Sequence, residues 1–190
     1  GTAITTGDCN VAVGKSALEA TTTASDNVAI GFRASCANTT GYSNISIGSY
    51  SSDANTEGFE NVAIGVSSLG ANTTGDCNVG VGRNALRSNT TAGDNTAIGT
   101  NALCSNTTAS NNTAVGKAAL KVNTTGTQNV AVGRNAGDAN TEGTNNVALG
   151  DSALSSNTTA DGNTAVGRAS LHSNTTGTRN TAVGNDALFT

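Results

Sequence analysis

Asn78–Asp94 reads NVGVGRNALRSNTTAGD. Its segment GVGRNA is a formal match to the G-x-G-x-x-A dinucleotide fingerprint. That motif needs a strand, a tight glycine turn and a helix N-terminus aimed at a pyrophosphate. The register of the surrounding chain excludes it. Aligned on Asn-[Val/Thr/Ile]-small-[Val/Ile/Leu]-Gly, the Asn falls at 10, 27, 44, 61, 78, 95, 112, 129, 146, 163 and 180, always 17 residues apart. With that Asn as position one, Gly82 is the fifth-position glycine found in all eleven copies, and Ala85 is an ordinary eighth-position Ala. Only Gly80 departs, replacing the usual third-position Ala. The apparent phosphate loop is one rung of a ladder.

A period of this kind settles the fold class before any other feature is weighed. The consensus is N-[VT]-A-[VI]-G-x-x-A-L-x-x-N-T-T-G-x-x. It is too short for a helix-pair repeat, and a glycine in every copy would interrupt any helix. Positions one to five alternate with period two, which predicts a short strand with positions two and four on one face. The Ala-Leu pair at positions eight and nine suggests a second strand, and N-T-T-[G/A] supplies turn chemistry. Two strands and two turns per copy describe one coil of a parallel β-roll or β-solenoid. Ten coils stacked at ~4.8 Å give a rod roughly 48 Å long, and about eleven coils fall within a single repeat domain over residues 1–190.

The ladders follow from stacking, because one coil cannot bury its own apolar face. Position four runs Val13, Ile30, Ile47, Ile64, Val81, Ile98, Val115, Val132, Leu149, Val166 and Val183, and is expected to form the buried β-branched ladder. The third-position Ala then faces outward as a flat surface suited to another chain, and Gly80 would admit an unusually close neighbour there. Leu at position nine lines either that seam or the roll interior. Thr at position thirteen, from Thr22 to Thr175, follows Asn in every full coil except the first, where Thr21 stands instead. Stacked Asn and Thr can hydrogen-bond from coil to coil. Gly1 falls at position nine and Thr190 at position eleven, so the chain reads as a piece of a longer repeat array.

The motifs NVAIG (27–31 and 61–65) and NTAVG (112–116, 163–167 and 180–184) resemble the N-[ST]-[VT]-A-[IV]-G repeats of YadA-type heads of trimeric autotransporter adhesins. They are equally similar to the NTAVG…AL…NTTG arrays of bacteriophage-type tail fibres, which often carry a self-cleaving chaperone at the C-terminus. The resemblance covers essentially the whole chain. It implies a left-handed parallel β-roll that trimerises through flat faces on a cell surface, anchored in the outer membrane by the full-length protein, or on a virion. The 17-residue period is longer than the usual head repeat, which implies a longer outer loop. The four Cys depart from the near absence of cysteine typical of such adhesins.

Composition narrows the function classes. There are 24 Gly, no Pro, Met or Trp and only 3% aromatic residues, so the core must be thin and built from small aliphatics. A net charge of −4 with 12% charged residues gives no clustered basic footprint for nucleic acid. No apolar run approaches the ~20 residues of a membrane span, so no membrane insertion by this segment is expected. Neither a cofactor site nor an enzyme constellation emerges. His172, the single histidine, sits at the variable position ten without a nucleophile or carboxylate in recognisable spacing.

Three further patterns bear on sites. Cys9 and Cys77 share position seventeen, and Cys36 and Cys104 share position ten, as a duplicated four-coil block would place them. With no CxxC pair, zinc is disfavoured, and disulfides require those two positions to face each other. DANTEG at 53–58 and 138–143 offers Asp53 with Glu57, and Asp138 with Glu142, as weak cation candidates. Two carboxylates are few for Ca²⁺, so a solvated acidic loop is the simpler reading. The Asn-Thr-Thr sequons at Asn38, Asn72, Asn89, Asn106, Asn123, Asn157 and Asn174 are by-products of the repeat.

The expected function is a structural and adhesive fibre segment, an adhesin head or tail-fibre shaft, with a cell-surface, matrix or glycan receptor. The alternative is an ice-binding solenoid using the Asn-Thr-Thr ladder. Its outward rank would be Asn-x-Thr, interrupted by Glu57 and Glu142.

Overall fold

In the computed structural model, which describes residues 4–189, eleven three-residue strands form a single sheet. They run from β1 (Val11–Val13) through β2 (Val28–Ile30), β3 (Ile45–Ile47), β4 (Val62–Ile64), β5 (Val79–Val81) and β6 (Thr96–Ile98). The stack continues with β7 (Thr113–Val115), β8 (Val130–Val132), β9 (Val147–Leu149), β10 (Thr164–Val166) and β11 (Thr181–Val183). Each pairs in parallel with its sequence neighbour, in the register of the repeat: Val28 opposite Ile45, Ala29 opposite Ser46, Ile30 opposite Ile47. The protein is an all-β parallel solenoid with 17-residue coils. Gly1 and Thr190, where the repeat is cut, lie outside the described residues.

Each coil contains one strand where the consensus suggests two. The Ala-Leu side is a run of turns whose backbone visits the left-handed region at positions seven and nine, as at Asn84 (φ 58°) and Leu86 (φ 51°). It still pairs from coil to coil: the Leu86 N–H donates to Ala102 O at 3.1 Å, and the Asn84 N–H donates to Val66 O at 3.0 Å. A left-handed Leu costs roughly 1–2 kcal/mol. Full burial of the side chain offsets that strain, since Leu18, Leu69, Leu86 and Leu103 are all 0% exposed.

The inside and outside of the strand are the reverse of the expectation. The third-position Ala points inward: Ala29, Ala63, Ala97, Ala114, Ala131 and Ala165 are completely buried against the ninth-position Leu. The second- and fourth-position side chains point out, with Val13, Ile30, Ile64, Ile98, Val132 and Val183 all exposed. Gly80 likewise faces the interior. A Cβ there would lie 2.6 Å from Ser68 Oγ, and the Ser68 hydroxyl donates to Gly80 O at 2.8 Å. The missing methyl is filled from within, so it opens no close approach for a neighbour.

The fifth-position glycine has two causes. Its φ lies between 128° and 141° in every coil, a region that L-residues avoid. At Gly99 a Cβ would also stand 2.5 Å from Gly116 O in the next coil.

Two Asn ladders complete the interior. At position one, Asn27 Nδ2 donates to Gly41 O at 2.9 Å, while Asn27 Oδ1 accepts the Asn44 N–H at 3.0 Å. At position twelve, Asn55 Nδ2 donates to Asn38 Oδ1 (3.0 Å) and to Gly58 O (2.9 Å). In the first coil Thr21 replaces that Asn, and its hydroxyl donates to Asn38 O at 3.1 Å. These Asn are buried and partnered, as buried amides must be. Asn163 Nδ2 is the exception, buried with no partner.

Candidate functional site

Stacking turns each coil position into a rank along the rod, so surface chemistry is read rank by rank. The fourth rank and the second-rank Val, Ile and Thr make one apolar strip without a charged residue. Contiguous exposed apolar strips mark interaction surfaces. The outward face of the strand is thus carried by the β-branched positions, in place of the Ala expected there.

The Asn-Thr-Thr segment does not present Asn-x-Thr outward. The twelfth-position Asn is buried, and the thirteenth-position Thr is mostly half-buried, its hydroxyl donating to the next coil, as from Thr39 to Thr56 O at 2.9 Å. Only the fourteenth rank is fully outward. It carries Thr in most coils and Glu57 and Glu142 in two of them.

The sequence-level site candidates do not come together. Cys9, Cys36, Cys77 and Cys104 are all free thiols. Cys36 Sγ contacts Glu19 at 3.5 Å and Cys77 Sγ contacts Glu60 at 3.6 Å, each within its own rank. Burial pushes the Cys36 thiol above its usual value, Arg33 pulling it partly back, and desolvation followed by the Glu60 carboxylate raises Cys77. Raised thiols resist oxidation and metal capture, because the thiolate is the reactive form. His172 stacks on Phe189 with ring centroids 4.9 Å apart.

Asp53 and Asp138 stand half-buried in the tenth rank, whereas Glu57 and Glu142 are exposed in the fourteenth. Desolvation raises both aspartates above the ordinary carboxylate value. Arg33 opposes the rise at Asp53, and the peptide N–H, Lys121 and His172 oppose it at Asp138. No group of three or more His, Cys, Asp or Glu that could cage a cation occurs among the described residues.

The tenth rank carries a feature that no single repeat displays. The rank reads Glu19, Cys36, Asp53, Gly70, Arg87, Cys104, Lys121, Asp138, Ser155, His172 and Phe189. Gly70 alone has no side chain, so a notch of about 530 Å³ opens over it between Asp53 and Arg87. Tyr50, Ser67, Ala71 and Ser88 complete the lining. The signal in the sequence is a lone glycine in a rank of larger side chains, and the structure shows a backbone there that does not demand one. Among the described residues the ion pairs are Arg134–Asp151 and Arg168–Asp186, so neither Asp53 nor Arg87 is engaged in one.

No family model, curated protein or solved structure matches this chain. The described residues contain no helix long and apolar enough to cross a membrane.

Proposed function

We propose that the chain is a structural and adhesive segment of an extracellular fibre, an adhesin head or a tail-fibre shaft, assembled as a side-by-side homotrimer. The observation that carries this reading is the uncharged β-branched strip running along the whole rod. Left bare, it would be a row of Val and Ile in water; packed against copies of itself, it becomes a second core. The repeat motifs, with their resemblance to adhesin heads and tail fibres, support the same conclusion. A rigid rod that repeats weak contacts gains attachment by avidity, without a deep site.

Sedimentation velocity at micromolar concentration tests the assembly. A trimer is expected for the native chain, and Ile64→Lys with Ile98→Lys should shift it to monomer with its fold retained. A folded native monomer overturns the trimer. Beads coated with the chain test adhesion, with retention on cells or matrix above uncoated beads as the expected result.

Ice binding is the second reading. Its support is the exposed fourteenth-position Thr rank at the coil spacing of ~4.8 Å, and the Glu57 and Glu142 interruptions weaken it. Thermal hysteresis in a freezing assay would move it ahead of adhesion.

A further inference from the structure

We propose that the notch over Gly70 is a binding subsite for a neutral pyranose, the terminal sugar of a surface glycan. This rests on the adhesive reading and names the chemistry by which one three-coil stretch would recognise a receptor.

The notch spans three coils. Tyr50 and Asp53 come from the third, Ser67, Gly70 and Ala71 from the fourth, and Arg87 and Ser88 from the fifth. Its two walls are therefore about 9.6 Å apart along the rod, twice the inter-strand spacing, and one sugar ring fits between them. The volume of about 530 Å³ lies in the range of small-ligand sites. An ideal Cβ on Gly70 would lie 3.8 Å from Asp53 Oδ1 and no closer than 3.4 Å to any other atom. The carboxylate thus overhangs the floor of the notch, and the floor is open because a side chain is missing, with no backbone strain involved.

The walls suit a pyranose. Its C–H face is apolar and its rim is a ring of hydroxyls. Tyr50 borders the notch with its carbonyl oxygen 3.6 Å from the Gly70 Cβ position, and its ring, 41% exposed, packs edge-on against Phe32 with centroids 5.2 Å apart at 85°. The Asp53 carboxylate accepts from adjacent hydroxyls, the Arg87 guanidinium donates in a fork, and the Ser67 and Ser88 hydroxyls do either. One negative and one positive wall leave no net charge to be matched, so a neutral sugar is preferred over an acidic or basic one. Four of the five aromatic residues of the chain (Phe32, Tyr42, Tyr50 and Phe59) lie in the second and third coils, next to the notch along the rod.

Saturation-transfer NMR on the intact chain tests the site. The probes are the methyl pyranosides of glucose, galactose, mannose and N-acetylglucosamine. At least one should receive saturation on its C–H face, with Kd on the order of 1 mM. Gly70→Leu fills the notch, Asp53→Asn removes the charge of one wall, and Arg87→Ala removes the other wall. Each should weaken binding by about tenfold or more, with thermal melts showing that the fold is kept. If Gly70→Leu does not fold, the two wall variants decide alone. Silence from all four sugars, or undiminished transfer in the folded variants, overturns the site. So does preferential binding of a zwitterionic Asp-Arg dipeptide, which would answer to charge alone. Bead attachment separates the two readings. Attachment that survives Gly70→Leu while no sugar binds removes the site and leaves the adhesive fibre; sugar binding without attachment does the reverse.

Discussion

The third coil and the coils that follow it solve the same packing problem with different chemistry. From the fourth coil onward, third-position Ala, eighth-position Ala and ninth-position Leu, interrupted at Ser68, Gly80, Gly137 and Ser170, merge into one apolar column from Ala63 to Ala182. In the third coil the same three positions are Ser46, Ser51 and Ser52, all buried. A separate small cluster of Ala17, Leu18, Ala29 and Ala34 lies beyond them. Hydrogen bonds replace apolar contact across this layer: the Ser35 hydroxyl donates to Ser46 Oγ at 2.7 Å, and the Ser51 hydroxyl donates to Gly48 O at 2.9 Å. The backbone register passes through unchanged, Ser46 pairing with Ala29 and Ala63. Coil geometry is therefore held by the features common to both regions, the corner glycine and the Asn ladders, while the apolar filling is negotiable.

The largest effect should come from breaking what the two regions share. Gly99→Ala in the apolar column and Gly48→Ala in the serine layer each put a methyl within 2.5 or 2.6 Å of the next coil's carbonyl oxygen. Both also force a non-glycine residue to φ 137° or 133°. Each should cost about 3 kcal/mol or more, read as loss of a cooperative urea transition. Equal costs would confirm that the corner matters independently of the core. A mild Gly48→Ala beside a severe Gly99→Ala would show that the serine layer yields.

The next effect should separate the regions. Leu103→Ala removes a fully buried side chain from the column and should cost about 2–5 kcal/mol in urea denaturation. The reverse change, Ser46→Ala with Ser51→Ala and Ser35→Leu, installs consensus residues and removes the Ser35–Ser46 bond as a pair, so neither hydroxyl is orphaned. It should raise the midpoint by joining the two clusters. Ser46→Ala alone should lower the unfolding free energy by about 1 kcal/mol, because Ser35 Oγ keeps its burial and loses its acceptor.

A smaller difference is expected from the Asn ladder, which crosses both regions. Asn106→Ala strips Asn89 Oδ1, Asn123 Nδ2 and Ala109 O of a partner. Asn55→Ala does the same to Asn38 Oδ1, Asn72 Nδ2 and Gly58 O. Both should cost about 1–3 kcal/mol, with near-equal urea midpoints. A larger loss at Asn55 would mean that hydrogen bonds carry more of the stability where the apolar column is absent.

How much of this was legible follows from what repeats. The period, the parallel stack, the corner glycine and the ladders are enforced in every coil, so each residue type recurs where it is needed. Facing was misread because β-branched residues at alternate positions look like a core ladder. The clue lay in size. Position three accepts only Ala, Ser46 and Gly80, whereas position two tolerates Val, Ile and Thr. A narrow interior admits only the smallest side chains, and an outward face has no such limit. The missing second strand was illegible for another reason: Leu at left-handed φ contradicts propensity, and only the stacked turns of neighbouring coils hold it there. The notch escaped because it arises from one absent side chain between two coils, a property no single repeat displays.

The smallest effect compares the two DANTEG coils through their tenth-rank aspartates. Asp53 borders the serine layer and the notch, and Asp138 follows Gly137 in the apolar column, where Leu120 leans toward the space left by the missing side chain. Both carboxyls are raised above the ordinary value of 3.8, first by desolvation. A raised acid binds its proton more tightly in the folded state, so the stability it contributes is present below the ordinary value and lost as pH rises through the folded one. Native stability should therefore decline slightly from acid toward neutral pH on account of these two groups. Asp53→Asn and Asp138→Asn should each flatten that decline, and the double variant should flatten it further, in urea midpoints measured across the acid range. Arg33 opposes the rise at Asp53 as the chief counter-charge, and Lys121 and then His172 oppose it at Asp138. Replacing Arg33 with Gln should steepen the pH dependence through Asp53 alone. A profile that steepens equally in the Asp53→Asn background would assign the Arg33 effect elsewhere and separate this carboxylate from the charge beside it.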